Sequence, residues 1–166
     1  MRLILGIGQS LRGDDGAGPA AVKHWQSLFP ARAAAPDLRI EILELPGLEL
    51  LDFLAGMDQA LLIDAVRSGE VPGTLRWLRE ADLADFGLGS GSAHGWGVAE
   101  ALALGRQMQA EKMPSELSIL GIEVGTLALG EGLSPDVASV MDEAALLIEG
   151  WVRKTGIDDW EEGDRG

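Results

Sequence analysis

With 166 residues, 46% of them hydrophobic and 24% charged, the chain has the length of one domain and enough apolar material for a core, which sets aside a wholly disordered protein. It contains no cysteine, so disulfides, thiolate nucleophiles, iron–sulfur clusters and thiolate zinc sites are excluded, and any metal must be held by nitrogen and oxygen. A formal charge of −14 with no cluster of Lys or Arg argues against a nucleic-acid partner.

The first apolar run, Leu3 to Ile7, is short, unalternating and bounded by glycine, the pattern of a strand buried on both faces. It falls far below the ~20 residues of a membrane span and no secretory pattern accompanies it, so a cytoplasmic chain without membrane insertion is expected. From Gly18 to about Phe29, Val22, Trp25 and Leu28/Phe29 recur at helical spacing, while Lys23, His24 and Gln26 point elsewhere. His24 is given no functional role. Leu38 to Leu45 alternates apolar and charged residues and reads as a strand with one wetter face, ended by Pro46-Gly47. A short helix through Leu50, Phe53 and Leu54 follows.

Ala60-Leu61-Leu62-Ile63-Asp64 is the most buried-looking strand, and Thr74 to Leu78 gives another near a sheet edge. Val98, Ala101/Leu102, Gly105 and Met108 mark a long helix that ends near Pro114. Leu117 to Ile122 forms the fifth strand. One last helix starts with Ser134 as N-cap and Pro135 in its first turn; its apolar stripe is Val137, Val140/Met141, Ala144, Leu147/Ile148 and Trp151. Strands alternating with helices predict an α/β fold, a three-layer αβα sandwich with a largely parallel, mixed sheet of about five strands. Residues 1–155 form a single domain in this reading, and 156–166 an acidic flexible tail.

Three polar side chains stand where a core does not need them. Asp15 falls in the turn Gly13-Asp14-Asp15-Gly16 between the first strand and first helix, Asp64 closes the third strand, and His94 lies in Ser92-Ala93-His94-Gly95 ahead of the helix at Val98. In a parallel sheet the two carboxylates come to the same edge, where ligands of open α/β sheets bind. A helix N-terminus favours an anion at Asp15 and a neutral imidazole at His94. Two oxygens and one nitrogen leave coordination positions open, as in a site that shares a borderline metal such as nickel or zinc. Each residue also has a plainer use. Asp14 or Asp15 can cap the helix, with Asp14 the better placed, Asp64 can bind an amide of the next turn, and a lone His in a Gly/Ser loop is usually solvated. Jointly the three point to a metal or catalytic site.

Other motifs fail. Gly6-Ile7-Gly8 starts like a dinucleotide fingerprint, but the third glycine is displaced, and neither a P-loop nor a G-x-S-x-G nucleophile elbow occurs. Arg67, just past Asp64, can meet a carboxylate or a substrate chain terminus, or remain a solvated loop residue. Trp96 beside His94 is the candidate docking tryptophan among the five, although core packing is the commoner use of a tryptophan.

The segment Leu5 to Gly18 resembles the opening signature of the nickel–iron hydrogenase maturation endopeptidases. Leu61 to Val66 resembles their central strand with its terminal aspartate, and Ser92 to Val98 their histidine segment. Leu120-Gly121-Ile122-Glu123 and Gly132-Leu133-Ser134-Pro135 are similar to their late strand and last helix start. The likeness covers about residues 3–150. It implies an endopeptidase that removes the C-terminal extension of the hydrogenase large-subunit precursor once nickel is inserted. Residues matching Asp15, Asp64 and His94 would contact that nickel and act in catalysis, with zinc or cadmium as a surrogate and weak metal binding by the isolated protein. The alternative it leaves open is a nickel-dependent recognition module that does not cut. One departure stands out: Gln9 occupies a position where the family usually has Asn, and as a candidate substrate-binding residue its reach differs by one methylene.

Overall fold

The computed structural model describes residues 1–85, 97–125, 130 and 132–154. Five strands, β1 Arg2–Ile7, β2 Leu38–Leu43, β3 Gln59–Val66, β4 Leu75–Arg79 and β5 Glu116–Glu123, form one sheet in the order β2-β1-β3-β5-β4. The first four in that order run parallel and β4 pairs antiparallel with β5. The reversal follows from chain length: only a short loop separates Val66 from Leu75, too little for the crossover that a parallel return requires.

Helices cover both faces. Around the sheet run α1 Ala17–Leu28, α2 Pro30–Ala33, α3 Glu49–Leu54, α4 Val98–Gln109, α5 Pro135–Ala138 and α6 Met141–Arg153. Strand alternation assigns the faces. Leu3, Leu5, Ile7 and Leu62 pack with Leu50 and Leu54 of α3 and Ala101 and Leu102 of α4. Ile4, Leu61 and Ile63 pack with Val22 and Trp25 of α1 and Ala144 and Ile148 of α6. Each fully buried Leu or Ile contributes about 1.5–3 kcal/mol of transfer free energy, so β1 and β3 are fixed between two apolar layers. No helix among the described residues is long and apolar enough to cross a membrane.

The α/β class, the mixed five-strand sheet and the edge position of β4 agree with the sequence reading. Several details differ. The second strand stops at Leu43, because Leu45 is exposed and builds no ladder. The extra turn α2 follows Pro30, whose fixed φ suits a first helical position. The last helix is two helices, broken at Ser139 and Val140. There Ser139 Oγ donates to the Asp136 carbonyl at 2.7 Å and competes with the helical ladder. His24, given no role, lies 2.6 Å from Asp142 and ties α1 to α6. The same two helices meet at buried Glu149, which accepts from Trp25 Nε1 at 3.2 Å and Arg153 Nε at 2.7 Å. The tail beyond Lys154 lies outside the described residues.

Candidate active site

The loop after β1 folds back so that its own backbone supports Asp15. Gly8 has φ of +134°, a conformation that side chains resist, and a β-carbon there would collide with the Asp15 carbonyl. The Gly8 amide still donates to the Leu43 carbonyl at 3.0 Å, so the turn begins in register with β2. A 3-10 turn, Gly13–Gly16, then carries both aspartates into α1.

Gly18 sets how closely α1 meets the sheet. A β-carbon on it would overlap the Ile63 carbonyl and lie 2.6 Å from the Ile7 carbonyl. The first turn of α1 is therefore seated over the carboxyl ends of β1 and β3, and Ile63 immediately precedes Asp64. This close approach brings Asp15 and Asp64 to one place.

The two adjacent aspartates divide into different tasks. Buried Asp14 accepts from the Ser134 amide at 2.6 Å and from Ser134 Oγ at 2.8 Å. It thus holds the start of α5 rather than capping α1, and Ser134 spends its hydroxyl on Asp14 instead of its own helix. Asp15 turns the other way: its Oδ2 accepts the Gln9 amide at 2.9 Å. Gln9 therefore orients Asp15 through its backbone, which leaves its side-chain amide outside that bond.

Asp64 is 6% exposed, and its Oδ2 is buried without a hydrogen-bond partner among the described residues. Desolvation, then the nearby Asp15 charge, push its pKa up to about 8, with the Ala65 amide acting the other way. Such an oxygen needs a proton or a cation. Strand alternation puts Asp64 on the sheet face covered by α3 and α4, and His94 stands in the chain just ahead of α4. His94 and Trp96 lie outside the described residues. Among the described residues no three His, Cys, Asp or Glu side chains gather closely enough to hold a metal. Two neighbouring carboxylates, one of them with an oxygen lacking a partner among the described residues, call for a proton or a cation between them.

Sequence reasoning missed Glu123 as a support. It closes β5 at 2% exposure and accepts from the Ser68 amide at 2.9 and 3.1 Å, Ser68 Oγ at 2.8 Å and the Gly69 amide at 3.0 Å. The loop that follows Asp64 is thereby pinned to the neighbouring strand. A carboxylate closing an apolar run was the available signal, the same that marked Asp64.

The profile of the hydrogenase maturation protease family matches residues 41–151, a span that contains Asp64 and His94 and begins after Asp15. The chain is 28% identical to the Hydrogenase 2 maturation protease of Escherichia coli (strain K12) over 159 residues, 94% of this chain and 93% of that protein. It is 31% identical to the hydrogenase expression/formation protein HupD of Rhodobacter capsulatus over 155 residues, 90% of this chain and 71% of that one. The structure of the E. coli hydrogenase maturating endopeptidase HybD superposes with a TM-score of 0.76 at 28% identity, covering 93% of each chain. HycI from Thermococcus kodakarensis KOD1, at 23% identity and a TM-score of 0.68, shares the fold. With its profile match, its curated relatives and its fold in agreement, the chain belongs to the hydrogenase maturation protease family.

Proposed function

We propose that this protein is the endopeptidase that removes the C-terminal extension from a nickel–iron hydrogenase large-subunit precursor after nickel insertion, acting in the cytoplasm and reading the substrate's nickel through Asp15, Asp64 and His94. The observation that carries this reading is the buried Oδ2 of Asp64, beside Asp15 and without a hydrogen-bond partner among the described residues. In the free protein, burial keeps a proton on Asp64 near neutral pH, so the site has little hold on a metal by itself. A precursor whose nickel is already in place offers a cation that replaces that proton, and an empty precursor offers none. Loading state is thus converted into docking.

Docking fixes the chain segment beside the metal across the strand ends. A carboxylate of the pair then serves as general base for a water that attacks the scissile carbonyl. The carbon–nitrogen bond breaks as the displaced amine takes up a proton. Positioning contributes as much as acid–base chemistry, since the water and the bond are held together in one crevice.

Intact mass of the precursor after incubation with the protein tests this. Nickel-loaded precursor is expected to lose its C-terminal extension and nickel-free precursor to stay whole. Nickel-loaded precursor that binds but keeps its full mass would identify a recognition module that does not cut. Equal cleavage of both forms would overturn the metal-reading step.

A further inference from the structure

Among the described residues every arginine except Arg12 and Arg67 is ion-paired with a carboxylate, although acids outnumber bases by 27 to 13 in the sequence. Both follow strands that neighbour one another in the sheet. Arg12 follows β1 on the loop that delivers Asp15, and Arg67 follows β3, directly after the segment that delivers Asp64. Both loops leave the carboxyl edge of adjacent parallel strands.

Neither position is left to drift. The Arg12 segment is zipped to Gly130: the Gly13 amide donates to the Gly130 carbonyl at 2.7 Å and the Gly130 amide to the Leu11 carbonyl at 3.3 Å. Asp14 adds its two bonds to Ser134 on the same side. The Arg12 side chain is half-buried, and its Nε is enclosed with no hydrogen-bond partner among the described residues. Buried donors are ordinarily paired, so an unpaired one on a braced loop has room for a further hydrogen-bond partner. The exposed side chain of Arg67 stands where Glu123 grips the next two residues, Ser68 and Gly69.

We infer that Arg12 and Arg67 form a carboxylate-recognition site for the substrate chain; this rests on the peptidase reading above. A guanidinium presents a planar fork that matches a carboxylate, and carboxylates are the anions a peptide carries. The recognised group is either an acidic side chain near the scissile bond or the free C-terminal carboxylate of the extension. In a chain of this acidity, two guanidinia without a carboxylate partner among the described residues also offset the repulsion that the protein's field exerts on an anionic segment approaching Asp15 and Asp64.

The test immobilises the full-length protein and measures Kd for three nickel-loaded precursors, with intact-mass cleavage followed in parallel. The precursors are the native one, one whose extension has Asp and Glu replaced by Asn and Gln, and one with an amidated C-terminus. Arg12→Gln and Arg67→Gln are each expected to weaken native-precursor binding about tenfold, as loss of a charge-assisted pair does, with kcat within about twofold. The same loss should appear in the wild type for whichever precursor lacks the recognised carboxylate, and the variants should add nothing to it. Arg12→Lys should restore part of the affinity, and with Arg67→Gln it carries the test if Arg12→Gln fails to fold. Unchanged Kd in the variants, or equal losses for all three precursors, would overturn the inference. Wild-type binding with this pattern but no cleavage would overturn the peptidase reading alone.

Discussion

The Asp15 carboxylate lies near enough to Asp64 for its charge to raise the Asp64 pKa, adding to the larger effect of burial. Asp15 is held by the Gln9 amide, while one Asp64 oxygen has no partner among the described residues. The pair is therefore asymmetric: one acid anchored and one buried oxygen open to a proton or a cation. The pH behaviour of the protein follows from that asymmetry.

Asp64 carries a folded-state pKa of about 8 against 3.8 for an ordinary solvated aspartate. Between those values the native state holds a proton that the unfolded chain releases. The stability this supplies is complete below the lower value and is lost as pH rises through about 8. Wild-type stability relative to Asp64→Asn should fall by about 1.4 kcal/mol per pH unit across that window. Urea unfolding of both proteins at several pH values between 5 and 8 measures it; parallel pH dependences would contradict the raised pKa.

Metal docking should displace the same proton. Apparent affinity for nickel-loaded precursor is expected to rise with pH up to about 8. Calorimetry in buffers of different ionisation enthalpy should show proton release in the wild type and none in Asp64→Asn. Affinity that is flat over this range would mean that Asp64 does not receive the metal.

Gly18→Ala should damage both fold and site. Its methyl would strike the carbonyls of Ile63 and Ile7 and lift α1 from the strand ends, at a cost of about 1–3 kcal/mol typical of overpacking. Because the same contact juxtaposes Asp15 and Asp64, processing should fall even where the variant stays folded. Thermal unfolding and a precursor-cleavage assay separate the two losses.

Gln9 allows a sharper distinction. Its backbone, not its side chain, supports Asp15, so Gln9→Ala should change stability by no more than about 0.5 kcal/mol. A raised KM with little change in kcat would place the side-chain amide on the substrate. A large loss of stability would contradict the backbone assignment.

Asp14 shows where sequence reading reached its limit. Its neighbour Asp15 and the distant Asp64 were legible as oddities because each interrupts a local pattern, a Gly-rich turn or an apolar strand. The parallel register of β1 and β3 then dictates their shared edge. Asp14, however, takes its hydrogen bonds from Ser134, 120 residues away, and no local spacing encodes that choice. Ser134 does stand at the N-cap of α5 with Pro135 after it, as its sequence context indicates, but its hydroxyl goes to Asp14 instead of its own helix. The break at Ser139 and Val140 was hidden for another reason: Val137, Met141 and Ala144 keep the apolar stripe continuous across it. Glu123 repeated the signal of Asp64, yet amides of an adjacent loop satisfy it completely.

The most direct test of the convergent site is the intact mass of nickel-loaded precursor incubated separately with Asp15→Ala, Asp64→Ala and His94→Ala. Each substitution is expected to slow removal of the C-terminal extension by about a hundredfold or more, while the wild type completes it. Processing at the wild-type rate by all three variants would contradict the site.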